Sequence, residues 1–164
     1  MAKKEIKRNS WAQFFRKFNA ANQYRHINIT IKEKANQQTL PLDSTPFLGL
    51  GLEKKGRLID GVQLFTGRPD TEEVISPVLS LKQPDKIVLE KDGDGHDTTI
   101  IIRSKDGLQA RLELGEKDRD GAQWLVEKLA YTMFERRGCG HGRDMDDWLT
   151  AEKRVKDAEL MLVR

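Results

Sequence analysis

The chain has 164 residues, 37% hydrophobic and 34% charged, with a formal net charge of +3. That length suits one ordinary domain or two small ones, and no run approaches the ~20 apolar residues of a membrane-spanning helix. Cys139 is the only cysteine, which excludes a disulfide within the chain and points to a reducing compartment, the cytoplasm. The opening "MAKKEIKRNSW" is charged and no apolar run follows it, so it does not read as a secretory signal.

The charge is unevenly spread. Residues 1–34 carry +7, residues 35–114 carry −3 and residues 115–164 carry −1. A basic front of this kind suits phosphate or an anionic surface. Its candidate contacts are Lys3, Lys4, Lys7, Arg8, Arg16, Lys17 and Arg25. The plainer reading is a solvated helix face and a frayed terminus.

Ser10 followed by Gln13 reads as a capping box that opens a helix. Trp11, Phe14, Phe15 and Phe18 then recur at helical spacing, so one face is apolar and core packing is expected. From Arg25 the period changes to two: Ile27, Ile29 and Ile31 share one face, and His26, Asn28, Thr30 and Lys32 the other. Further strands are expected at Thr39–Leu42, Phe47–Glu53, Leu58–Phe65, Val74–Leu81 and Lys86–Glu90, separated by "DSTP", "KKG", "GRPD" and "QPD". Gly49 and Gly51 match no phosphate-loop spacing and suit a bulge or a crowded approach. Ile100–Ser104 and Leu108–Leu114 flank Asp106-Gly107, a strong hairpin signal.

"EKDGDGHDTT" clusters Asp92, Asp94 and Asp97, but His96 and Asp97 occupy EF-hand positions 5 and 6 and Arg103 position 12, so it reads as a polar turn. After Leu114 two helices are expected. The first carries Ala122, Leu125, Val126, Leu129, Ala130, Met133 and Phe134, and runs to Arg137. The second runs from Met145 to Leu162, with Trp148, Ala151 or Glu152, Val155, Ala158 and Leu162 on one face.

The expected fold is α+β: an N-terminal helix, a small antiparallel β-barrel in the element order of SH3-like and Sm-like barrels, then a C-terminal helical hairpin. The expected domains are 1–114 and 115–164.

"RRGCGHGRDMDDWLTAE" packs one Cys, one His and three Asp into seventeen residues. Gly138 suits a left-handed helix cap, Asp144 a capping carboxylate, and Asp146 and Asp147 the first turn of the next helix. This makes the stretch a helix–loop–helix joint. A metal or thiol site at Cys139 and His141 is the competing reading, and it lacks a second ligand pair. "AYTMFERRGCGHGRDMDDWLTAE" also resembles the signature of a small bacterial family, domain-of-unknown-function family 2934, roughly AYxLWExRGxxxGRDxxDWLxAE. Gly138, Gly142, Arg143, Asp144, Asp147, Trp148 and Glu152 are among the matches, and the run departs from the pattern at Gly140, where proline is common. Residues 9–114 resemble a second uncharacterised bacterial family through Trp11, Phe14, Phe15, Phe18, Ile29, Thr30, "LPL" and Asp106-Gly107. Neither resemblance implies an activity.

No Ser–His–acid set, HExxH or nucleotide-binding loop is present in the sequence. A non-enzymatic protein-interaction or adaptor module is the first functional reading, with a protein partner or self-association. Nucleic-acid binding through the basic front is the second, and the Cys139/His141 site the third. No cofactor or small-molecule substrate is implied.

Overall fold

A computed structural model describes residues 2–33, 36–40, 46–67 and 74–164. The fold is α+β, with a helix near the front, antiparallel sheets and two helices at the end. Strand β1 (Ala2–Glu5) leads through a 3-10 turn (Arg8–Ser10) into α1 (Trp11–Asn22). Strands β2 (Arg25–Glu33), β3 (Asn36–Leu40), β4 (Phe47–Lys55), β5 (Leu58–Gly67) and β6 (Ile75–Lys82) follow. Then come β7 (Pro84–Lys91), β8 (Asp97–Ser104), β9 (Leu108–Lys117), α2 (Gly121–Arg136) and α3 (Asp144–Met161). Of the expected strand at Thr39–Leu42, Pro41 and Leu42 lie outside the described residues, as do most of "DSTP" and "GRPD".

The strands form two sheets, not one closed barrel among the described residues. Six strands pair in the order β1-β7-β8-β9-β2-β3, and three in the order β4-β5-β6. Between them lies the main core. The large sheet contributes Ile27, Ile29, Ile87, Leu89, Ile100, Ile102, Ala110 and Leu112. The small sheet adds Phe47, Leu50, Val62, Leu64 and Leu81, and α1 adds Trp11, Phe15 and Phe18. Along β2, β7, β8 and β9 the core-facing residues are mostly buried, and the outward ones are exposed or half-buried apart from the buried Glu90 and Thr99.

The small sheet has a core on both faces, which is why the first four residues of β4 are all buried. Phe47 and Leu50 face the main core, while Leu48 joins a second cluster with Leu125, Val126, Leu129, Ala151, Val155 and Leu162. The α2–α3 hairpin therefore docks on the β-structure, and polar bonds fix the seam. The Asn19 amide donates to the carbonyl oxygens of Leu50 (2.9 Å) and Leu162 (2.7 Å), and its oxygen accepts from Leu50 N–H (2.8 Å). Tyr24 donates its hydroxyl proton to Glu159. Burial, then the Glu159 carboxylate, push the Tyr24 pKa well above the ordinary tyrosine value. Gly49 permits the approach: a Cβ there would stand 2.9 Å from the Asn19 side chain and 3.0 Å from Leu162.

Several local expectations need correction. The terminus is no frayed end, because Ala2–Glu5 pairs antiparallel with β7 as an edge strand. Ser10 makes no side-chain cap bond: it has helical rather than extended backbone angles (φ −104°, ψ −2°), and its N–H, the reciprocal partner in a capping box, is taken by Lys7 O in the preceding 3-10 turn. Asp144 is the first helical residue of α3 rather than its cap; Arg143 holds the cap position.

Candidate functional site

The edge strand β1 puts the basic front on two sides of one lip. In register, Lys4 stands opposite core-facing Leu89 and Lys3 opposite outward-facing Glu90. Neighbouring residues of a strand point to opposite faces. Lys4 therefore turns towards α1, and Lys3 towards the outer face of the large sheet.

Between β1 and α1 lies a cleft of about 320 Å³. Lys4, Lys7 and Lys17 line it, with Ile6, Gln13 and Phe14. Phe14 is half-buried, its ring packed 5.9 Å from Phe15 and 5.6 Å from Phe18 between centroids. Gln13, Phe14 and Lys17 reach the cleft together because residues three and four apart share a helix face. Lys4, Lys7 and Lys17 are exposed, and their ammonium groups make no hydrogen bond or ion pair among the described residues. Glu5 is the one acid among the lining residues. The arrangement offers three exposed ammonium groups around an apolar, partly aromatic floor.

Arg8, Arg25 and Lys3 are bonded within the fold. Arg8 donates to the carbonyl oxygen of Pro84 (2.9 Å) and stacks 4.9 Å over the Trp11 ring. Arg25 donates to the carbonyl oxygens of Gly115 (2.8 Å) and Asp97 (2.7 Å) and to Asn22 Oδ1 (2.8 Å). Lys3 pairs with the buried Glu90 carboxylate at 3.3 Å. Arg16 lines a different groove, beside Lys54 and Arg164. The structure thus brings Lys4, Lys7 and Lys17 together and separates Lys3, Arg8, Arg16 and Arg25 from them. Sequence reasoning missed Phe14 as a lining residue, since its helical spacing matches that of the core aromatics.

The joint between α2 and α3 is built as a Schellman turn. Gly138 N–H bonds Glu135 O (3.0 Å) and Cys139 N–H bonds Phe134 O (3.1 Å), with Gly138 at φ +74°. Gly142 is also left-handed, at φ +100°. Asp147 accepts from the Arg137 guanidinium and ties the end of α2 to the start of α3. Trp148 packs half-buried against the second cluster, while Arg143, Asp144 and Glu152 are exposed. Cys139 is exposed and sits at φ +60°; His141 is exposed and lies against the Phe134 ring, 5.7 Å between centroids.

Among the described residues, the grouping of three possible metal ligands is Asp92, Asp94 and His96, and it does not include Cys139 or His141. There Asp92 already accepts the backbone N–H groups of His96 (3.0 Å) and Asp94 (2.9 Å), which hold its carboxyl below the usual range. These bonds close the β7–β8 turn.

Residues 125–157 match the model of a family described as "Protein of unknown function (DUF2934)". The matched segment runs from Leu125 in α2 to Asp157 in α3, about a fifth of the chain, and includes the whole Schellman joint. The comparisons do not support the second resemblance, drawn for residues 9–114. No curated protein and no solved structure matches the chain. No helix among the described residues is long and apolar enough to cross a membrane.

Proposed function

We propose that this protein is a non-enzymatic binding module that takes a single-stranded nucleic acid in the cleft between β1 and α1. One observation carries the reading: Lys4, Lys7 and Lys17 converge, unpaired among the described residues, around the half-exposed Phe14 ring. Cations that track the backbone and an aromatic face that accepts a base are what single-strand binding requires. Each phosphate met by a lysine releases counterions, so the affinity carries a defined salt signature. With three contacts, log K falls with log salt at a slope of about −2, or about 20-fold between 50 and 200 mM. The test is a fluorescence-anisotropy titration of labelled single-stranded DNA and RNA at those two salt concentrations, on wild type and Lys17→Glu. Salt-sensitive binding that Lys17→Glu weakens is expected. Absence of binding at low salt, or a Lys17→Glu affinity equal to wild type, overturns the reading.

A second reading has its own support. Tyr131, Met145 and Leu149 are more than half exposed, and all three lie inside the DUF2934 segment. Met145 and Leu149 are one turn apart on α3. Large apolar side chains that the fold leaves in water suit a protein contact, and this surface is where we place the adaptor role. Sedimentation of wild type against Leu149→Lys tests self-association there: a concentration-dependent dimer lost in the variant supports it, and a monomer at all concentrations removes the self-association version. The exposed Cys139 thiol suits a reducing compartment, and we infer a cytoplasmic protein.

A further inference from the structure

The large sheet buries one face and leaves the other open. Along that open face one row crosses five strands in register. Lys86 stands opposite Arg103, Arg103 opposite Gln109, Gln109 opposite Lys32, and Lys32 opposite Gln37. Adjacent strands lie about 4.8 Å apart, so the row spans about 19 Å. It carries three cations and no carboxylate. Like charges directly opposite on a sheet face destabilise the pair, and Lys86 and Arg103 are such a pair. Neither makes an ion pair among the described residues.

The charged residues beyond the next row, that of Val88, Ile101 and Arg111, show the contrast. There the buried Glu90 carboxylate meets Lys3 at 3.3 Å and Arg111 at 3.5 Å, and Glu113 also meets Arg111 at 3.1 Å, so two cations face two carboxylates. Between Lys86 and Glu90 lies a groove of about 300 Å³, floored by half-buried Val88 and Ile101 and rimmed by Lys3, Lys86 and Arg103, with Glu90, already paired to Lys3, as its one acid. Strand β1 is the lip shared by this groove and the β1–α1 cleft, with Lys3 lining one and Lys4 the other.

We propose that the open sheet face is a second segment of the binding path, where Lys86, Arg103 and Lys32 take phosphates of a strand that has passed over the β1 lip from the cleft. The proposal rests on the nucleic-acid reading above and extends it to a longer ligand. It explains why an uncompensated cation pair is placed on an uncovered face, beside an edge strand that carries a lysine to each side.

The test compares two oligo-dT probes, of about 4 and about 16 nucleotides, on wild type and on the double variant Lys86→Gln/Arg103→Gln. The substitutions are surface changes that remove a like-charge pair, so Tm is expected unchanged or raised, which establishes that the variant folds. The longer probe should bind the variant about tenfold more weakly than wild type, with the salt slope reduced by about 1.4, while the shorter probe binds both alike. Equal affinity of the longer probe for both proteins overturns the proposal and leaves the cleft reading standing. Equal weakening of both probes also overturns it, since the cations then act as a general field. Failure of both probes to bind wild type removes the cleft reading, and this proposal with it.

Discussion

Asn19 is the test of how the helical hairpin is held. Its side chain is 1% exposed and replaces a missing neighbouring strand at the edge of β4, bonding both the N–H and the C=O of Leu50. Its second donated bond reaches the carbonyl of Leu162, just past the end of α3. Asn19→Ala removes all three bonds and strands three backbone groups in a buried seam. An unsatisfied buried donor or acceptor costs about 1–3 kcal/mol. The three are neighbours and share one cavity, so their costs do not simply add, and the expected loss is about 3 kcal/mol. For a chain of this length each kcal/mol lowers Tm by about 2–4 °C, so Tm should fall by about 6–12 °C. Asn19→Asp should cost more, since it keeps one acceptor and turns a carboxylate towards two carbonyl oxygens. Thermal unfolding followed by circular dichroism reads both variants. A loss below about 1 kcal/mol in Asn19→Ala would refute the claim that this residue joins helix, strand and hairpin.

Three further outcomes follow from the same seam and the joint. Gly121→Ala places a Cβ 2.6 Å from the Tyr24 ring, and overpacking of this kind should cost about 1–3 kcal/mol in denaturant unfolding; an unchanged midpoint would show that the hairpin is not seated against Tyr24. Tyr24 carries a raised pKa, so its contribution is fully present below the ordinary tyrosine value of about 10 and is lost as pH rises above it. Alkaline unfolding curves should therefore fall more steeply for wild type than for Tyr24→Phe, and parallel curves would count against the Tyr24–Glu159 bond. Cys139 occupies the left-handed region, which costs an L-residue about 1–2 kcal/mol, so Cys139→Gly should raise stability by up to about 1 kcal/mol after glycine's extra chain entropy is counted; a drop in Tm would mean that the thiol holds something.

Much of the frame was legible because a single period governs each element. Trp11, Phe15 and Phe18 repeat at helical spacing and are buried, and Ile27 and Ile29 alternate into the core. The Asp106-Gly107 turn and the Gly138 cap follow from local backbone chemistry, and both glycines have positive φ. Strand β1 was not legible, since "AKKE" shows no alternation and its place depends on β7, more than eighty residues away. Two sheets in place of a barrel reflect the same limit, because pairing partners are set by tertiary contact. In the candidate site, the charge excess at the front marked the right region. It could not separate Lys4, Lys7 and Lys17 from Arg8 and Arg25, whose partners are backbone carbonyls brought near only by folding. The cation row on the open face is made by register across five strands, and no local window contains it.

The most direct test of the central claim is to locate the ligand. Backbone and Phe14 ring resonances of isotope-labelled protein would be followed by NMR as oligo-dT is added at low salt. Shifts that saturate together at Lys4, Lys7, Phe14 and Lys17 and recede when salt is raised, with α3 unmoved, are expected. Saturating shifts centred on α2 and α3, with the β1–α1 cleft silent, would contradict that claim.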